Sequence, residues 1–180
     1  MKIPLILMLS IAISGCASAF KPSEQFLSLK GKITRPEAVT TLQRISRGNA
    51  AKGEPVICRL GTLYGADQNT QLEFTASEFS YQAYTKGEYV GEKAGTQYYK
   101  KAYFQKKTPF RDISMVRILP YNGSDCQAVK GGQYDHIVVL QKNPITEALA
   151  IAVNKSDLDA YLAAIISLTQ SPRIVQGVGF

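Results

Sequence analysis

His136 is the single histidine of this 180-residue chain, and it stands beside Asp135. Nucleophilic catalysis would need a nucleophile within reach of that imidazole and a carboxylate to orient it, and a zinc site would need several His or Cys ligands at regular spacing. Neither pattern occurs. No serine sits in a Gly-x-Ser-x-Gly elbow, and Gly131-Gly132 lacks the rest of a phosphate loop. Asp125, Asp135, Asp157 and Asp159 are spaced as turn and helix-start residues rather than as a metal loop. His136 adjoins the apolar run Ile137 to Leu140 and reads as a strand-edge histidine with local hydrogen bonds. The expectation is a protein that is not an enzyme and holds no cofactor or metal.

Charge and aromaticity concentrate elsewhere. Tyr98, Tyr99, Lys100, Lys101, Tyr103, Phe104, Lys106, Lys107, Phe110 and Arg111 interleave rings with cations. On a strand, alternate residues share a face, so Tyr99, Lys101, Tyr103 and Lys107 lie on one side and Tyr98, Lys100, Ala102, Phe104 and Lys106 on the other. Two readings stay open. Lysines along an edge strand discourage pairing with another chain. Alternatively, Lys100, Lys101, Tyr103, Lys106, Lys107 and Arg111 meet an anionic lipid or glycan surface, where each cation contributes ~1 kcal/mol and Tyr and Phe favour the interface. Single-stranded nucleic acid would suit the same residues, but the address read from the N-terminus argues against it.

That address is carried by residues 1–16. Lys2 supplies a positive start, Ile3 to Ile13 an apolar stretch, and Ser14-Gly15 a slim pair before Cys16. As a helix the apolar stretch would rise only ~16 Å, about half of a bilayer's ~30 Å hydrocarbon core, so it cannot span one. The segment resembles the signal peptide and lipobox of bacterial lipoprotein precursors, with Ile13 where the family most often has Leu. The resemblance implies removal of residues 1–15 and lipidation of Cys16 by a diacylglyceryl thioether and an acylated amine. Two or three palmitate-length chains then hold the protein at the membrane effectively permanently. Lipoproteins with Asp after the Cys are retained at the inner membrane; here that residue is Ala17, which implies an outer-membrane anchor facing the periplasm if the source has two membranes.

Removing residues 1–15, which contain Lys2 and no acid, takes the formal charge from +7 to +6. The remainder has one domain's length and can bury about two thirds of its unfolded surface. Cys58 and Cys126 are left over, in a compartment where disulfides persist. If bridged, they close a loop of about 67 residues, worth ~4 kcal/mol on the chain-entropy view; if not, they are two small buried apolar residues.

Residues 16–23 read as a lipidated tether, 24–170 as a single globular domain and 171–180 as a C-terminal tail. Thr34 and Glu37 form a Thr-x-x-Glu capping box, and Val39, Leu42 and Ile45 follow at helical spacing until Gly48. From Pro55 the pattern becomes seven short β-rich runs at 56–62, 71–76, 79–84, 97–104, 113–119, 136–141 and 148–153, separated by turn formers such as Gly87, Gly95 and Asn122-Gly123. In the last run Leu149, Ile151 and Val153 alternate with alanines, predicting cover on both faces. Ser156 and Asp159 suggest a cap for a final helix carrying Leu158, Tyr161, Leu162, Ile165 and Ile166 on one face. The predicted fold is α+β: an N-terminal helix, about seven antiparallel strands in one bent sheet or partly open barrel, and a C-terminal amphipathic helix. This element order resembles a pleckstrin-homology-like barrel, which implies that the last helix plugs one open end. The functional expectation is a non-enzymatic envelope lipoprotein that binds a protein, anionic lipid or glycan of the envelope. The alternatives are an accessory subunit of a membrane-bound assembly and an inhibitor of a cell-wall hydrolase.

Overall fold

A computed structural model describes residues 18–47, 58, 64–65, 72–121, 134–143 and 146–177. The lipobox with Cys16, the turn at 122–124, Asp125, Cys126 and Gly131-Gly132 lie outside the described residues. The chain is α+β. Its strands form two sheets, however, rather than one bent sheet.

The first sheet is built from β1 (Ser18–Ala19), β6 (Met115–Pro120), β7 (His136–Gln141), β8 (Glu147–Val153) and β9 (Arg173–Gln176), in the order β1-β9-β6-β7-β8. Its pairs are antiparallel except β6 with β9, which runs parallel. Alternation along β7 and β8 buries both faces. Val138, Leu140, Leu149, Ile151 and Val153 point into the main core, while Ile137, Val139, Ala150 and Ala152 point the other way and pack with Cys58, Leu119, Tyr121 and Tyr134. Cys58 donates its backbone N–H to the Ala150 carbonyl at 2.8 Å and so lies beside β8. Ala150 and Ala152 are buried as well, so both faces of β8 are covered, as the alternation predicts.

Three helices cover the other face: α1 (Glu24–Leu29), α2 (Arg35–Arg47) and α3 (Leu158–Leu168). The α2 start is the capping box read from sequence. The Thr34 backbone N–H and hydroxyl both donate to the Glu37 carboxylate, at 2.8 and 2.7 Å, and the Glu37 N–H points back at the Thr34 hydroxyl at 3.5 Å. Those bonds hold the Glu37 carboxyl below the usual range, with the Thr34 backbone N–H first among the causes. The α3 start differs from expectation. A 3₁₀ turn, Lys155–Asp157, precedes it and no side chain caps it. Asp159 instead accepts from the Ser23 hydroxyl at 2.6 Å, and Ser23 caps α1 by accepting from the Phe26 N–H at 2.9 Å. The turn takes up Ser156, so a box with Asp159 cannot form.

Helix α3 does not plug a barrel end. It lies between α1 and α2 and puts Tyr161, Leu162, Ala163, Ala164, Ile165 and Leu168 into the sheet's core, because one face of an open sheet is too broad for a single helix. The described parts of the expected tether and tail also belong to the sheet. Within the expected tether 16–23, Ser18 and Ala19 pair with Gln176 and Val175, and Phe20 meets Phe26 edge-on at 5.5 Å. Within the expected tail 171–180, β9 occupies an inner place in the sheet, with Val175 buried.

The second sheet contains β2 (Tyr64–Gly65), β3 (Glu73–Phe74), β4 (Glu78–Lys93) and β5 (Thr96–Pro109), all antiparallel. Strands β4 and β5 make one long hairpin whose turn holds Ala94 and Gly95 at positive φ, the left-handed pair that matches strand twist. The hairpin's foot is fixed by Phe74, Phe79 and Phe110, whose ring centroids lie 5.4–6.4 Å apart, and by the buried Tyr81 hydroxyl, which donates to the Ala148 carbonyl at 2.9 Å.

Candidate functional site

Beyond that foot the hairpin leaves the body as an arm. Of the large apolar side chains exposed among the described residues, Tyr89, Val90, Tyr98, Tyr103 and Phe104 are on it, and Leu27 alone is elsewhere. Isolated two-stranded ribbons are marginal in water, so an arm of this length is supported by its rooted end and by contacts along its faces. Tyr89 and Tyr99 supply one such contact, edge-on at 5.6 Å. Gly87 is required by another feature, since a Cβ there would come within 2.9 Å of the Lys100 carbonyl. The register also shifts between Lys86 and Tyr89 and between Tyr89 and Gly91.

The six residues expected to meet an anionic surface divide between the two faces. Register pairs Glu78 with Pro109, Ser80 with Lys107, Gln82 with Gln105, Tyr84 with Tyr103 and Lys86 with Lys101, all on one face, continued by Tyr89 with Tyr99. On this face Lys101, Tyr103 and Lys107 are exposed. The opposite face holds Lys100 and Lys106, each engaged. The Lys100 ammonium pairs with Glu88 at 3.1 Å, both side chains being well exposed, so the pair adds little stability. Lys106 is half-buried, donates to the Glu147 carbonyl at 3.3 Å and sits 5.8 Å from the Tyr81 ring centre. Burial first, then the neighbouring Lys142, hold its pKa below the usual lysine value, against a smaller opposing effect of Glu147. Lys106 therefore fastens the arm to the body. Arg111 lies in the 3₁₀ turn Phe110–Asp112 that follows β5, exposed and 3.8 Å from Asp112.

At the foot of the Lys101–Lys107 face is an open cleft of about 370 Å³ lined by Arg35, Ser77, Glu78, Arg111, Leu168 and Gln170. Arg35 opens α2. It lies 76 positions from Arg111, and no local pattern links the two.

His136 opens β7 opposite Pro120 and Val153, half-buried, and Asp135 accepts the Lys155 N–H at 2.7 Å as part of a turn. No group of three or more His, Cys, Asp or Glu side chains is placed to hold a metal among the described residues. No described helix is long and apolar enough to cross a membrane. Cys58 is buried and disulfide-bonded; Cys126, its expected partner, lies outside the described residues, as does Cys16. Neither a protein-family model, nor a curated protein, nor a solved structure matches this chain.

Proposed function

We propose that this is a non-enzymatic lipoprotein of a bacterial envelope, anchored through Cys16 and binding an envelope partner through the β4–β5 arm. The observation that carries the reading is the concentration of exposed aromatic and apolar side chains on one projecting element, when the body exposes only Leu27 among the described residues. An arm that served folding alone would be expected to shed such residues, and an edge strand needs lysines but not tyrosines. An outer-membrane anchor facing the periplasm, a Cys58–Cys126 bridge and a pleckstrin-homology-like character of the strand-rich body followed by its last helix belong to the same proposal. The first two rest on Ala17 and on the cysteine count, and the third on element order.

Two substitutions test it. Cys16→Ser should abolish labelling by a clickable fatty acid and leave an unprocessed precursor; label that survives would refute the anchor. Replacing residues 87–100 by Asn-Gly, a turn suited to two-residue hairpins, should leave the melting temperature within a few degrees yet remove the crosslinks that a photoreactive group at position 103 makes to envelope material. Crosslinks that persist from a group placed on the body instead would move the contact off the arm and favour an accessory subunit packed through its body.

A further inference from the structure

The face of the arm that carries Lys101 and Lys107 runs without a break into the cleft at its foot, because Glu78 and Pro109 belong to that face by register and also line the cleft. From the arginines upward the track reads Arg35 and Arg111, then Lys107, then the Gln82–Gln105 pair, then Tyr103, Lys101 and the Tyr89–Tyr99 rings. Ten residues separate Pro109 from Tyr99, so the track is ~34 Å long at ~3.4 Å per residue. Among the described residues, Arg35, Arg111, Lys107 and Lys101 outnumber the three acids placed with them, Glu73 opposite Ser80, Glu78 in the cleft and Asp112 beside Arg111. On the opposite face Lys106 is turned to the body and the charge of Lys100 is matched by Glu88 beside it.

The shape selects among anionic occupants. Beyond Tyr84 and Tyr103, where β2 and β3 no longer flank β4, the arm is a two-stranded ribbon; such ribbons twist strongly, so the residues of this face wind about its axis and cannot all rest on a flat bilayer. The fold also sets the arm away from the start of β1. β1 is the edge strand opposite β8, roughly 19 Å across four strand spacings. Ser18, its first residue, lies level with Gln176 and Ile118, toward the Pro120 end of the sheet. The arm is fastened at Glu147 and Ala148, at the other end. The start of β1 and the root of the arm thus lie at diagonally opposite corners.

Resting on the proposed envelope-binding role, we infer that the track binds a linear anionic polysaccharide, with a carboxylate or phosphate held between Arg35 and Arg111 in the cleft and sugar rings laid against Tyr103 and Tyr99. A flexible chain follows a twisted ribbon. Guanidinium forks match carboxylate and phosphate oxygens, and tyrosine rings present flat apolar faces to the C–H side of a sugar.

The test titrates the full-length chain in neutral detergent with fluorescent oligogalacturonate, which carries one carboxylate per ring. Polyglutamate of equal charge and phosphatidylglycerol vesicles serve as comparison probes. Saturable oligogalacturonate binding should weaken about tenfold with Arg111→Gln and with Tyr103→Ala, and remain unchanged with Lys100→Gln, which removes the same charge from the opposite face. Thermal melting of each variant separates lost contact from lost fold. Equal weakening by Lys100→Gln, equal binding of polyglutamate, or binding to vesicles alone would each overturn the inference in favour of diffuse charge, an acidic protein or a bilayer respectively. Absence of oligogalacturonate binding while the arm still crosslinks to envelope material would overturn the polysaccharide and leave the arm's binding role standing; loss of both would overturn the two together.

Discussion

The five-stranded sheet and the β4–β5 arm are made of the same kinds of residue put to opposite uses. In the sheet, alternation sends large side chains to the helices and alanines to a second, thinner layer, and Leu140, Leu149 and Ile151 have no exposed surface. In the arm, alternation also makes two faces, but past the foot both carry exposed residues. Tyrosine shows the contrast. Tyr161 is fully buried in α3 and Tyr81 is tied to Ala148, whereas Tyr89, Tyr98 and Tyr103 are each 49% exposed. An element that excludes water stabilises the fold; one that keeps rings and cations in water while fastened at one end is organised for contact. On the proposed role, stability falls to the first sheet together with the foot of the hairpin, and contact to the arm beyond it.

The sharpest way to break that division is to shorten side chains in both regions. Leu162→Ala in α3 should cost ~2–5 kcal/mol, as expected for a buried leucine whose neighbours cannot close the gap. Tyr103→Ala in the arm should stay within ~0.5 kcal/mol. Denaturant titration of the two variants checks this, and an arm variant as unstable as the core variant would show that the arm is part of the folding unit.

A smaller effect is expected where the regions meet. Tyr81→Phe removes the donor to the Ala148 carbonyl and should cost ~1–3 kcal/mol. Burial pushes the hydroxyl pKa of both Tyr81 and Tyr161 well above the ordinary phenol value, with Ser46 pulling Tyr161 slightly the other way. The folded form therefore keeps protons that the unfolded chain gives up, so this contribution is complete below the unfolded value of ~10 and is lost as pH rises beyond it. Melting temperatures followed through that alkaline range should fall less steeply for Tyr81→Phe than for the unaltered chain; identical slopes would place this hydroxyl in water.

The smallest expected change concerns the α2 cap. With the folded pKa of Glu37 depressed, its contribution is present above the ordinary glutamate value and disappears as pH falls through the folded one. Glu37→Gln should flatten the acid side of the stability profile slightly while leaving binding to the arm untouched. A loss of binding by this variant would couple the start of α2, and with it Arg35, to the site more tightly than the two-region division allows.

Local signals were legible where they are self-contained. The capping box needs only Thr34 and Glu37, and β6, β7 and β8 are apolar strands of six or seven residues. The arm was half legible. Alternation sorted its residues to the correct faces, but Gly87 was read as a turn former, whereas it sits inside a strand to allow the close approach of the Lys100 carbonyl. β1 and β9, with two and four residues, carry too little pattern to stand out and exist because neighbouring strands offer them hydrogen bonds. Lys106 looked like a surface cation, and only the placement of Glu147 and Tyr81 turns it inward.

By itself, then, the order of residues determined the α+β character, the alternation of faces and the positions of charge along the chain, since these follow from periods of two and 3.6 residues and from side-chain chemistry within a few positions. The tertiary structure alone decided that the strands divide into two sheets, that β9 enters between β1 and β6, and that Arg35 and Arg111 face one cleft at the foot of the arm. Those outcomes depend on which distant surfaces bury one another best, a free-energy comparison over the whole chain that no short window of sequence contains.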